Sequence, residues 1–110
     1  MMPWKWDTKG VQTDMNAIIQ QAEIIWPAHT RPADGGFERV IESDPVKNLR
    51  ARRDGIPKAG ASVQTAYQWT TVTLELIREL GKSRQAHDHP NEWRKIQNRF
   101  KTIRDKFPRS

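Results

Sequence analysis

Along three separate stretches of this chain, apolar residues recur at the three- and four-residue spacing that lines one side of an α-helix. In the first, Val11, Met15, Ile18, Ile19, Ala22, Ile25 and Trp26 predict a helix over about residues 10–26. Thr8 or Thr13 is a candidate cap, and Pro27 ends the helix because the residue before a proline is pushed out of helical geometry. In the second, Val63, Ala66, Trp69, Thr70, Thr73, Leu76, Ile77 and Leu80 form a wide stripe after a candidate cap at Ser62 and before Gly81. The β-branched run Thr70-Thr71-Val72-Thr73 is also compatible with a strand. Length, and the flanking of Arg78 by Glu75 and Glu79, favour a central helix over residues 62–80. The third is the clearest: Trp93, Ile96, Phe100, Ile103 and Phe107 follow at spacings of 3, 4, 3 and 4, a seam of the coiled-coil kind. Asp88, Pro90 and Glu92 suit its start and Pro108 its end, giving a helix over residues 90–107.

Between the first two stripes, residues 28–61 are interrupted by Pro32, Gly35, Gly36, Pro45, Gly55, Pro57 and Gly60, an irregular connecting segment. Two short helical pieces fit between the breaks. One runs near Phe37 to Glu42, with Phe37, Val40 and Ile41 on one side. The other starts after Asp44 as cap, takes Pro45 at its first position and stops at Gly55. Only Val46 and Leu49 are apolar in the second piece, which reads as a basic surface turn lying lightly on the core. The stretch from Gly55 to Gly60 reads as a mobile loop. The expected fold is therefore all-α, a small bundle of three main helices in a single domain spanning 1–110, with residues 1–8 as a mobile terminus.

Composition narrows the classes. The chain has 110 residues and no cysteine, which removes a disulfide scaffold, a thiolate zinc site and a thiol nucleophile. Only 35% of residues are hydrophobic, so five tryptophans and three phenylalanines must supply much of the buried area. No apolar run approaches the roughly 20 residues of a membrane helix, and Met1-Met2-Pro3-Trp4-Lys5-Trp6-Asp7 lacks the apolar stretch of a signal peptide. A cytoplasmic protein with no membrane association is expected.

Charge changes the picture most. Before Val46 the chain has four basic and seven acidic residues, net −3; from Val46 onward it has fifteen basic and six acidic, net +9. Polarity of this kind speaks about partners rather than fold. The excess lies in two clusters. One contains Lys47, Arg50, Arg52, Arg53 and Lys58 against Asp54 alone. The other runs from Lys82 to Ser110, with nine basic residues against Asp88, Glu92 and Asp105.

At about 100° per residue, the last helix carries Lys95, Arg99 and Lys106 along one flank of its seam and Arg94, Lys101 and Arg104 along the other. Asn98, Thr102 and Asp105 lie between the rows. Two basic rails of this kind could straddle a phosphate backbone or enter a DNA major groove, with Arg94, Asn98 and Lys101 near base edges. Arginine in the other cluster suits phosphate through its planar fork. Equally, Lys and Arg lay their stems beside an apolar seam on many helices that bind nothing. The run Trp93-x-x-Ile96-x-x-x-Phe100-x-x-Ile103 resembles the last helix of Myb-like trihelical DNA-binding domains. The resemblance covers under a fifth of the chain, is shared by amphipathic helices generally, and assigns no family.

Trp4 and Trp6 flank Lys5 and are either partner-binding anchors or a hydrophobic lid on the end of the bundle. His87-Asp88-His89 has metal-ligand chemistry, but His29 is the only other histidine and helix capping is a sufficient role for Asp88. No nucleophile has a local partner and no glycine loop is built to cradle phosphate, so no enzyme activity, cofactor or metal is expected. Two functions remain. The chain is a small nucleic-acid-binding protein, duplex DNA first, or a non-catalytic module that binds an acidic protein partner, as a monomer or weak homodimer.

Overall fold

In the computed structural model, which describes residues 4–32, 34–36 and 38–108, the three periodic stretches are all helical. They are α1 (Thr8–Ile25), α3 (Val63–Gly81) and α5 (Pro90–Arg104), with α2 (Asp44–Asp54) and α4 (Arg84–Asp88) as shorter helices between them. A small antiparallel sheet of β1 (His29–Pro32) and β2 (Glu38–Ile41) separates α1 from α2. The protein is thus mostly helical with five helices and one two-stranded sheet, rather than all-α.

Each apolar stripe faces inward. Val11, Met15, Ile18, Ile19, Ala22 and Ile25 of α1 meet Ile96, Phe100 and Ile103 of α5, Ala66, Trp69 and Ile77 of α3, and Val46 and Leu49 of α2 in one core. α1 lies against α5 and α2, and α3 meets α5. α1 and α5 run antiparallel: Asp7 pairs with Lys106 near one end, Asp14 with Arg99 in the middle, and Trp26 meets Trp93 edge-on at the other end. Gly81 allows the end of α3 to approach Trp93, since a Cβ there would sit 2.6 Å from the indole ring.

The hairpin replaces the helical piece expected near Phe37 to Glu42. Phe37 itself lies outside the described residues, whereas Glu38 to Ile41 form β2 and pair with His29 to Pro32. Three apolar residues over five positions suit a turn of helix as well as a short strand, so periodicity alone does not separate the two. Pairing across the ribbon decides the matter, and Gly35 and Gly36 supply the positive φ values, 83° and 80°, with which the chain reverses.

Several termini also differ from expectation. Asp7 caps α1, its carboxylate accepting from the Gly10 amide at 3.0 Å. Ser43 rather than Asp44 is the cap position of α2, and its hydroxyl donates to the Trp26 carbonyl at 2.7 Å, tying the start of α2 to the end of α1. Asp88 belongs to α4, with His89 at the cap position of α5. α5 ends at Arg104, leaving Lys106 and Phe107 in the turn that follows.

The terminus expected to be mobile is held in place from Trp4 onward. Trp6 is buried at 3% exposure and its indole N–H donates to the Pro57 carbonyl at 3.0 Å. Thr8 donates to the same carbonyl, and the Trp4 indole donates to the Lys106 carbonyl. Trp4, Trp6 and Phe107 pack together with ring centroids 5.5 to 6.1 Å apart. The loop from Gly55 to Gly60 is fixed by the same contacts, with Ile56 buried. Among the described residues no helix is long and apolar enough to cross a membrane.

Candidate nucleic-acid interface

The two basic clusters meet opposite fates. In α2, Arg50 is bound by two carboxylates, Glu42 from the segment before the helix and Glu23 from α1. The hydrogen bond to Glu42, and secondarily the charges of Glu42 and Glu23, raise the Arg50 pKa above its ordinary value. Arg52 turns inward: its Nε donates to Thr73 Oγ1 at 3.1 Å and its Nη2 to the Trp69 carbonyl at 3.2 Å. The guanidinium lies 5.7 Å from the Trp69 ring centroid, and the Trp69 indole N–H donates back to the Arg52 carbonyl at 2.9 Å. Arg53 donates to Asn16 on α1 and pairs with Asp54. Only Lys47 and Lys58 of this cluster are exposed with no ion pair among the described residues.

In α5 the two rows stand on opposite flanks of the seam. Lys95, Arg99 and Lys106 face α1. Arg99 pairs with Asp14 at 3.2 Å, and Lys106 pairs with Asp7 at 2.8 Å and reaches Asp14 at 3.9 Å. Asp14 is 4% exposed, so this row closes the α1–α5 contact around a buried carboxylate. The Lys106 hydrogen bond, helped by the Gly10 amide, holds the Asp7 carboxyl below the usual aspartate range. Lys95 remains outside that network, beside Asn98, Thr102 and the Ala17 and Gln21 side of α1.

The other row faces α3. Arg94, Lys101 and Arg104 are exposed, and none forms an ion pair among the described residues. Lys101 and Arg104 rim a groove whose walls are Leu74, Ile77, Trp93 and Phe100. Arg78 of α3 stands on the facing rim. At about 200 Å³ the groove is smaller than the several hundred cubic ångströms of an ordinary small-molecule site. It is a surface furrow with a cationic edge. Arg78 was not a candidate from the sequence, where it reads as a helix-supporting charge between Glu75 and Glu79. Its signal is the stripe Tyr67, Thr71, Leu74, Arg78, which has helical spacing just beside the core stripe.

The clusters of α2 and α5 do not form one patch. α1 presents Asn16 and Glu23 to α2, and Asp14 and Gln21 to α5. Asn16 and Asp14 are two residues apart, about 200° around the helix axis. α1 therefore stands between the clusters. Trp4 and Trp6, the candidate partner anchors, are spent on packing the end of the fold, and Trp6 offers no surface. Around His87-Asp88-His89, Asp88 pairs with Arg84 and His89 Nδ1 contacts the Gln85 carbonyl.

No family model matches the chain, and no curated protein and no solved structure is significantly similar to it.

Proposed function

We propose that the protein is a non-catalytic nucleic-acid-binding protein that engages duplex DNA through the exposed side of α5, with the three long helices acting as a supporting bundle. Arg94, Lys101 and Arg104, with Arg78 across the furrow, contact backbone phosphates, and Lys95 extends the contact past Asn98 on the outward ridge. Asn98 stands where a polar side chain can reach base edges. Lys47 and Lys58 belong to the far flank of α1 and add only to the general positive field. Arg50, Arg52, Arg53, Arg99 and Lys106 hold the fold.

One observation carries this reading. Arginines elsewhere on the helical body are engaged by carboxylates, carbonyls or side-chain amides, whereas four neighbouring cations around α5 and the end of α3 have no such partner among the described residues. Like charges gathered without counter-ions repel one another, and a polyanion relieves that repulsion. The apolar walls of the furrow favour a second reading, an acidic amphipathic helix laid between α3 and α5.

Anisotropy titration of labelled duplex DNA, single-stranded DNA and RNA at about 50 and 200 mM salt separates the two. Duplex binding that weakens steeply with salt, and that is lost in the Arg94→Ala/Lys101→Ala/Arg104→Ala variant, is the expected result. No binding to any nucleic acid at the lower salt, or binding indifferent to the triple substitution, overturns it.

A further inference from the structure

The β1–β2 hairpin covers almost nothing. Seven of its eight strand residues are exposed, and Ile41 is half-buried. The molecule is 62 Å along its longest axis, whereas its longest helix, α3, accounts for roughly 28 Å at 1.5 Å per residue. The ribbon therefore projects from the helical body.

Its register sets Arg31 directly opposite Arg39. His29, Arg31, Arg39 and Ile41 share one side of the ribbon, and Thr30, Pro32, Glu38 and Val40 share the other. The first side has two guanidinium groups and an imidazole with no strand carboxylate among them. Like charges directly opposite across a sheet are destabilising, and a lone two-stranded ribbon is marginal in water even without that penalty. Two planar forks side by side offer parallel N–H donors that match the oxygens of a phosphate.

Position completes the case. The hairpin starts three residues after Trp26, whose ring meets Trp93 at the start of α5 with centroids 6.3 Å apart. Arg94 and Lys95, the next two residues, therefore stand at the end of α5 from which the hairpin springs. A duplex lying along α5 runs off that end toward the ribbon, and a two-stranded ribbon is of a size to enter a groove.

We propose that the hairpin is a second nucleic-acid contact, in which Arg31 and Arg39 clamp a backbone phosphate of the same duplex that α5 engages. This rests on the nucleic-acid reading of α5. The α5 cations from Arg94 to Arg104 span roughly 15 Å, the rise of ten helical residues, so a duplex of about 10 base pairs satisfies them without reaching the hairpin. One of about 30 base pairs reaches both.

The test compares wild type, Arg31→Ala/Arg39→Ala, Arg31→Lys/Arg39→Lys and the α5 triple variant on both lengths across a salt series. The double alanine variant is expected to bind the short duplex as wild type does. On the long duplex the slope of log K against log salt falls by about 2, one for each lost phosphate contact. The double lysine variant keeps the wild-type slope with weaker affinity, because charge remains and the fork is gone. Equal slopes and affinities for wild type and double alanine on the long duplex overturn the hairpin proposal while leaving α5 intact. No duplex binding by wild type overturns both. Unchanged melting of the double alanine variant confirms that a lost contact, and not a lost fold, is being read.

Discussion

The arginines of α2 and the cations of α5 come from stretches of similar charge density, each with few acids nearby in sequence. In the folded chain the first group is consumed internally: Arg50 by Glu23 and Glu42, Arg52 by Thr73 and Trp69, Arg53 by Asn16 and Asp54. The second group is divided. The row beside α1 meets Asp7 and Asp14, and the row beside α3 meets Arg78, another cation. The difference lies in what the neighbouring helix presents. α1 carries its acids on both of its flanks, whereas the α3 face against α5 carries threonine, leucine and arginine. Net charge along a chain thus reports how many cations exist, and the facing element decides how many are available to a partner.

The largest expected effect breaks the support of both rows. Phe100, 3% exposed, anchors α5, and Phe100→Ala should cost about 3–5 kcal/mol in denaturant unfolding. Nucleic-acid affinity should fall with it. A loss under about 1 kcal/mol would mean that α5 is not seated on the core as described.

Next come the structural arginines. Arg52→Ala removes two side-chain hydrogen bonds and the contact with the Trp69 ring, and should cost about 1–3 kcal/mol of stability. Arg99→Ala should fall in the same range of about 1–3 kcal/mol, since it leaves the buried Asp14 with only Lys106 at 3.9 Å. From the helix projection alone Arg99 is a surface residue, fit for a binding test that spares the fold. Its pairing with Asp14 makes it the wrong probe.

The opposite pattern is expected for Arg94→Ala/Lys101→Ala/Arg104→Ala. Stability should change by no more than about 0.5 kcal/mol per site, because each is exposed and unpaired. The salt slope of duplex binding should fall by about 3. Melting curves together with the titration check both halves, and a large stability loss here would erase the contrast with α2.

The smallest effect is in pH dependence. Lys106 and the Gly10 amide lower the Asp7 pKa in the folded protein, so between the folded and unfolded values the unfolded chain holds more protons. The contribution of Asp7 is then complete above the unfolded carboxylate value near about pH 4 and is lost as pH falls through the folded one. Asp7→Asn should flatten the acid limb of Tm against pH below about 4 and leave the curve at neutral pH nearly parallel to wild type. An unchanged acid limb would show that the Asp7–Lys106 pair contributes nothing in solution.

What the sequence determined by itself is whatever repeats locally. The stripes from Val11 to Trp26, Val63 to Leu80 and Trp93 to Phe107 specified three helices and their inward faces, because a period of 3.6 residues is written in consecutive positions. The same arithmetic separated the two cation rows of α5. The tertiary structure decided everything that depends on a distant partner. Trp4 reaches the carbonyl of a residue 102 positions away, Lys106 meets Asp7 across 99, and Arg99 meets Asp14 across 85. The hairpin is of the same kind: Glu38 to Ile41 become a strand only because His29 to Pro32 lie alongside to take their hydrogen bonds. A helix satisfies its own backbone within four residues, whereas a strand or a buried charge is satisfied only by what the rest of the chain brings to it.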